Sequence, residues 1–156
     1  MLHVLFVCTG NLYRSPLAAA YFRMKLKHAD LLQDYVVGSA GTWAASGLPA
    51  PPQLLRYSRS HGIDISGHST REVDRDLLFA QNLVIVMERG HREALITEFA
   101  GLDKRIFLLS EIIDKMTYDI PDPARNMWSF EQIADDLIAM IDRGFQEICD
   151  LANAEK

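Results

Sequence analysis

Short, wholly apolar runs alternate along this chain with longer stretches in which apolar positions recur every three or four residues. Leu2 to Val7 reads as a buried strand, and the same pattern predicts strands over Tyr35 to Ala40, Leu83 to Met87 and around Arg105 to Leu108. Helical spacing predicts an Ala-rich helix from Leu17 to His28, one from about Gln53 to His61, a short one near Asp74 to Ala80, and one from about Arg89 to Phe99. In the last segment Ile133, Leu137, Met140, Ile141, Ile148 and Leu151 fall on one helical face, with Ser129 as cap and Gln132 three residues on. Residues 42 to 52 carry Gly47, Pro49, Pro51 and Pro52 and form a rim loop, while residues 114 to 128, with Pro121-Asp-Pro123 at their core, lack periodicity.

Strand and helix alternate with no linker and no internal repeat. That predicts an α/β fold in a single domain over residues 1 to 156, with helices on both faces of a four-stranded parallel sheet. Right-handed crossovers give the strand order 2-1-3-4. In such sheets a site forms at the carboxyl ends of the strands, near the point where the order reverses.

The first strand ends at Cys8. Between it and Pro16, which opens a helix where a missing N–H costs nothing, lies the loop Cys8-Thr-Gly-Asn-Leu-Tyr-Arg14-Ser15. Gly10 and Asn11 are its residues most tolerant of left-handed backbone angles. A loop so bent aims successive N–H groups inward, and the helix N-terminus adds partial positive charge, so the stretch suits an oxyanion. Thr9, Gly10, Asn11, Leu12, Tyr13 and Arg14 are the expected phosphate-binding residues. Cys8 lies at the floor of this cradle, and amide dipoles, a helix N-terminus and a guanidinium all favour the nucleophilic thiolate form of a cysteine. Arg14 offers a planar fork for two phosphate oxygens at once. Ser15 can donate its hydroxyl to the Cys8 sulfur. A lone cysteine after a buried strand is ordinarily an inert core residue. The combination of strand, Cys, Arg-Ser and helix start is far more specific than any of its members. No Gly-Lys-Ser/Thr follows the glycine, which excludes a nucleotide P-loop, and no Gly-x-Gly-x-x-Gly supports a dinucleotide fold.

At these residues the sequence resembles the low-molecular-weight protein tyrosine phosphatase family. Ser39-Ala-Gly-Thr42, Gly62-Ile-Asp-Ile-Ser-Gly-His68, Val86-Met-Glu88 and Asp122-Pro123 extend the likeness over roughly the whole chain. The resemblance implies a protein-tyrosine phosphatase in which the Cys8 thiolate attacks phosphorus and a cysteinyl-phosphate forms. Asp122 would protonate the leaving group and then activate water, with no metal or organic cofactor. The prolines flanking Asp122 fit a stiffened acid loop, and Asp119 is the alternative acid. By the same resemblance Asn11, Ser15, Ser39 and His68 form a hydrogen-bond network supporting the loop. It also implies a phosphotyrosine-containing protein as partner, in bacteria commonly a tyrosine kinase of polysaccharide export.

Composition narrows the setting. With 49% hydrophobic and 24% charged residues, 156 residues suffice for one core that removes roughly 70% of the unfolded surface from water. A formal charge of −5 argues against nucleic acid or an acidic membrane as partner, so attraction for phosphate must be local. Cys8 and Cys149 are too few for a disulfide framework, Cys149 reads as a structural thiol, and no apolar run is long enough to insert in a membrane. A cytoplasmic monomer or weak dimer is expected.

The chain also departs from the family pattern. Tyr13 stands where many members carry a second loop cysteine, so their protective disulfide has no counterpart. Ala124 and Arg125 replace aromatic residues after the Asp-Pro pair, and Trp43 is displaced because the rim loop is about one residue short. Leu12, Tyr13, Trp43, Ala124 and Arg125 are the expected substrate rim, with Trp128 as a further wall. Three alternatives share the loop or the fold. Thioredoxin-coupled arsenate reductases need further cysteines near the end of the third strand, and none lies between Cys8 and Cys149. Phosphoarginine phosphatases tend to carry Thr at the position of Leu12. A non-catalytic phosphotyrosine-binding module would have no use for both Cys8 and Asp122.

Overall fold

A computed structural model describes residues 1–125 and 129–154, so Trp128 lies outside the described residues. The apolar first run forms β1 (Leu2–Cys8), and β2 (Tyr35–Gly41), β3 (Leu83–Val86) and β4 (Ile106–Leu108) complete the sheet. All pairings are parallel and the order is β2-β1-β3-β4, as the alternating pattern predicts. β1 pairs with β2 from Leu2 opposite Tyr35 to Cys8 opposite Gly41, and with β3 from Val4 opposite Leu83 to Val7 opposite Val86.

Strand residues alternate between two cores. Val4, Phe6, Cys8, Leu83, Ile85 and Met87 face one layer, and Leu5, Val7, Val84, Val86, Ile106 and Leu108 face the other. The first layer holds α1 (Arg14–His28), α2 (Pro52–Ser60), α5 (Leu109–Asp114) and α6 (Phe130–Ala154), through side chains such as Phe22, Leu54, Leu109 and Ile141. The second holds α3 (Arg75–Phe79) and α4 (Arg89–Glu98), through Leu78 and Leu95. Each large apolar side chain so buried contributes about 1.5–3 kcal/mol, which is why a strand central to the sheet needs apolar residues at every position.

Two local features differ from expectation. α1 begins at Arg14, two residues before Pro16. A proline at the third helical position still lacks only an N–H that would find no intrahelical partner, so the chain can wind Arg14 and Ser15 into the first turn. Second, α5 and a 3-10 turn at Leu32–Asp34 have no counterpart in the sequence reading, since segments of six and three residues are too short for a clear period. α6 passes α5 so closely that a Cβ on Gly144 would sit 2.3 Å from Ile113 Cγ1. The predicted cap of α6 is present, with the Gln132 amide donating to Ser129 Oγ at 3.1 Å.

Candidate active site

Cys8 is the last residue of β1 and is buried, and the chain must reverse there to reach α1. Asn11 makes the reversal, with φ of 57°; Gly10, its equal in tolerance, is not in the left-handed region. The end of β2 anchors the loop through the Thr42 amide donating to Cys8 O at 2.9 Å and the Trp43 amide donating to Thr9 O at 3.0 Å. This contact requires glycine at 41, because a Cβ there would lie 2.3 Å from Thr9 O and 3.1 Å from Asn11 N.

Asn11 holds the loop from inside. Its Nδ2 donates to Ser15 Oγ and to Ser39 Oγ, each at 2.9 Å, its Oδ1 accepts from the Arg71 amide at 3.0 Å, and its carbonyl accepts from His68 Nε2 at 2.9 Å. The four side chains expected to form a network therefore do converge. Ser15 Oγ lies 2.9 Å from Cys8 Sγ. Since that oxygen already accepts from Asn11, its hydrogen is free for the sulfur, which is closer than the carbonyl of Ala40 at 3.3 Å.

Arg14 is 3% exposed and reaches across the loop from the first turn of α1. Its Nη1 donates to Glu88 Oε2 at 2.6 Å and to Ile120 O at 2.7 Å, leaving Nη2 3.6 Å from Asp122 Oδ2. The acid loop is pinned to the end of β3 by the Ile120 amide donating to Met87 O at 3.0 Å, and Asp122 Oδ1 accepts from the Ala124 amide at 2.9 Å. Asp119 faces elsewhere. Burial alone would raise its carboxyl, but the Arg89 amide at 2.8 Å and the Arg89 guanidinium outweigh it and hold the group below the usual carboxylate range.

Two polar residues of this site were not singled out from the sequence, Glu88 for a role and His91 at all. They form a reciprocal cap at the start of α4, and His91 Nε2 lies 2.8 Å from Thr9 Oγ1. The spacing of an acid and a histidine three apart, after a buried strand, was the available signal. The expected rim is less organised than the cradle. Tyr13 packs its ring on Phe130 at 5.3 Å and Leu12 is half-buried, whereas Ala124 and Arg125 are exposed and Trp43 is 80% exposed. Trp43 reaches the site through its backbone, so its ring is not part of a fixed wall.

The Cys8 thiol, the Arg14 guanidinium and the Asp122 carboxylate thus meet at the carboxyl ends of the strands. Residues 3–154 match the family model described as low molecular weight phosphotyrosine protein phosphatase. The chain belongs to that family. It is 34% identical over 142 residues to a probable low molecular weight protein-tyrosine-phosphatase, EpsP, of Ralstonia solanacearum, covering 90% of this chain and 89% of that protein. A protein-arginine-phosphatase of Geobacillus stearothermophilus is 30% identical, covering 90% and 91%. The crystal structure of a low molecular weight protein tyrosine phosphatase from T. tengcongensis superposes with a TM-score of 0.84 at 31% identity, covering 94% of this chain and 99% of that one. The protein is therefore an enzyme of the protein-tyrosine-phosphatase class, a hydrolase of phosphoric monoesters. Among the described residues of this phosphatase no helix is long and apolar enough to cross a membrane.

Proposed function

We propose that this phosphatase hydrolyses phosphotyrosine in a partner protein, with Cys8 as nucleophile, Arg14 as oxyanion clamp and Asp122 as general acid and base. The observation that carries the roles is the meeting of the two ends of one loop with a carboxylate from a distant loop: Cys8 Sγ lies 2.9 Å from Ser15 Oγ, the neighbour of Arg14, and Asp122 Oδ2 lies 3.6 Å from Arg14 Nη2. The thiolate attacks phosphorus, the phenolic oxygen leaves with the proton of Asp122, and a cysteinyl-phosphate remains. Water then attacks phosphorus, gives its proton to the Asp122 carboxylate, and the S–P bond breaks to restore the thiolate. The amides of Thr9 to Tyr13 and the Arg14 fork hold the equatorial oxygens as charge shifts among them. Asn11, Ser15, Ser39 and His68 keep the loop in the shape that does this. Leu12 and Tyr13 form the inner rim, and Trp43, Ala124 and Arg125 act further out. The thiolate requires a reducing compartment such as the cytoplasm, and a bacterial tyrosine kinase is one candidate partner.

Phosphoarginine is the second reading, favoured by the 30% identity to a protein-arginine-phosphatase. Steady-state assays on phosphotyrosine, phosphoserine, phosphoarginine and arsenate separate the possibilities, with phosphotyrosine expected to be preferred. Cys8→Ser should bind vanadate yet show no turnover on any of them. Turnover by Cys8→Ser would refute the nucleophile assignment, and a preference for phosphoarginine would refute the substrate.

A further inference from the structure

His91 is buried at 5% exposure and takes no direct part in the steps above. The Glu88 amide donates to its Nδ1 at 3.1 Å, so the proton of the neutral ring sits on Nε2. That nitrogen lies 2.8 Å from Thr9 Oγ1 and 3.5 Å from Glu88 Oε2. Glu88 Oε2 in turn accepts from Arg14 Nη1 at 2.6 Å. A single side chain on α4 thereby connects the residue beside the nucleophile with the carboxylate that holds the arginine.

Helix capping explains only half of this. The cap of α4 uses Nδ1, and nothing in it requires Nε2 to reach Thr9. The direction of the second bond has a consequence for the cradle. Because Nε2 donates, the Thr9 hydroxyl keeps its own hydrogen for another acceptor, and the phosphoryl oxygens are the acceptors the reaction brings to this loop. Burial and then the Arg14 charge push the His91 imidazole down to about 4, against the pull of the Glu88, Asp119 and Asp122 carboxylates. The ring therefore stays neutral through the range in which a phosphatase works, and protonation at Nδ1 would remove the acceptor of the Glu88 amide.

We propose that His91 is a positioning residue for phosphoryl transfer, a strut that orients the Thr9 hydroxyl toward the bound phosphoryl group and steadies Glu88 against Arg14. The proposal rests on the assignment of Cys8 and Arg14 made above. It is tested by kinetics on an aryl phosphate with His91→Asn, His91→Ala, Thr9→Val and the double variant Thr9→Val/His91→Asn. Asparagine keeps an acceptor for the Glu88 amide but is too short to reach Thr9. His91→Asn and Thr9→Val are each expected to lower kcat about tenfold with KM within about threefold, and the double variant to be no slower than the slower single one. His91→Ala, which loses both bonds, should lower kcat by about a hundredfold and weaken vanadate inhibition. Full additivity of the two single changes, or a wild-type kcat in His91→Asn, would overturn the proposal. Cys8→Ser, measured alongside, reports on the underlying assignment separately, because its failure leaves the His91 comparisons without a nucleophile to serve.

Stability against pH supplies a readout independent of turnover. The folded value of about 4 lies below the unfolded value of about 6.5, so the unfolded chain binds the proton more readily. Stability is therefore lost as pH falls from about 6.5 to about 4, and His91→Asn should remove that part of the slope. A slope unchanged by the substitution would show that the imidazole is not held neutral as the strut requires.

Discussion

Among single residues, the sharpest distinction the structure draws is between two acids three positions apart. Asp122 faces Arg14 across 3.6 Å, whereas Asp119 is committed to Arg89. Asp122→Asn is expected to lower kcat by about 10² to 10⁴ for a phenyl phosphate and by less for a nitrophenyl one, whose leaving group needs little protonation. Asp119→Asn should have a much smaller effect and no dependence on the leaving group. Parallel kinetics on the two substrates check this, and the reverse pattern would transfer the acid role to Asp119. Cys8 and Arg14 stood out by local pattern, the end of a buried strand and the turn into the following helix, whereas Asp122 was picked out chiefly by the family resemblance, with its flanking prolines in support. Glu88 and His91 did not stand out, since an acid and a histidine at a helix start read as an ordinary cap until the fold brings Thr9 and Arg14 to them.

At the scale of elements, the end of β2 decides the shape of the cradle. Gly41 lies under the loop that follows β1, where a Cβ would meet Thr9 O at 2.3 Å, an atom of the backbone that cannot swing aside as a side chain would. Gly41→Ala should therefore shift the loop between Thr9 and Asn11, cost about 1–3 kcal/mol in urea unfolding, and reduce kcat/KM by more than about tenfold. Unchanged kinetics would mean that the loop tolerates displacement and that its amides are not closely placed. Element types and most boundaries followed from periodicity, with strand ends within about one residue. α5 escaped because its six residues carry too little pattern, and the start of α1 because a proline fixes only the latest point at which a helix can begin.

Over the whole molecule, parallel pairing sets the two cysteines far apart. Cys149 lies beside the Tyr35 side chain, and burial leads the factors that raise its thiol. Tyr35 pairs with Leu2 at the far end of the strands from the Cys8 and Gly41 pair, roughly 20 Å away along the strand direction. A disulfide needs Cα atoms within about 7 Å, so Cys149 cannot trap an oxidised Cys8. With Tyr13 in place of a loop cysteine, peroxide is expected to inactivate the enzyme with little recovery on dithiothreitol, and Tyr13→Cys to improve recovery. Intact mass after peroxide checks it: added oxygen is expected, and a loss of about two mass units would reveal an internal disulfide and contradict this placement.

The chain's own pattern determined the α/β class, the parallel order 2-1-3-4 and the position of the oxyanion loop, because strand and helix periods, crossover handedness and turn residues are local or nearly local constraints. Only the tertiary structure decided which groups surround that loop. Arg14 is held by Glu88, 74 positions away, and by the carbonyl of Ile120, 106 positions away, and Asn11 is bonded by His68 and Arg71 from beyond β2. Pairings over such separations carry no periodic trace in the sequence. They arise when the sheet brings the carboxyl ends of three strands to one edge, where unmatched backbone and side-chain polar groups must find one another or remain buried without partners.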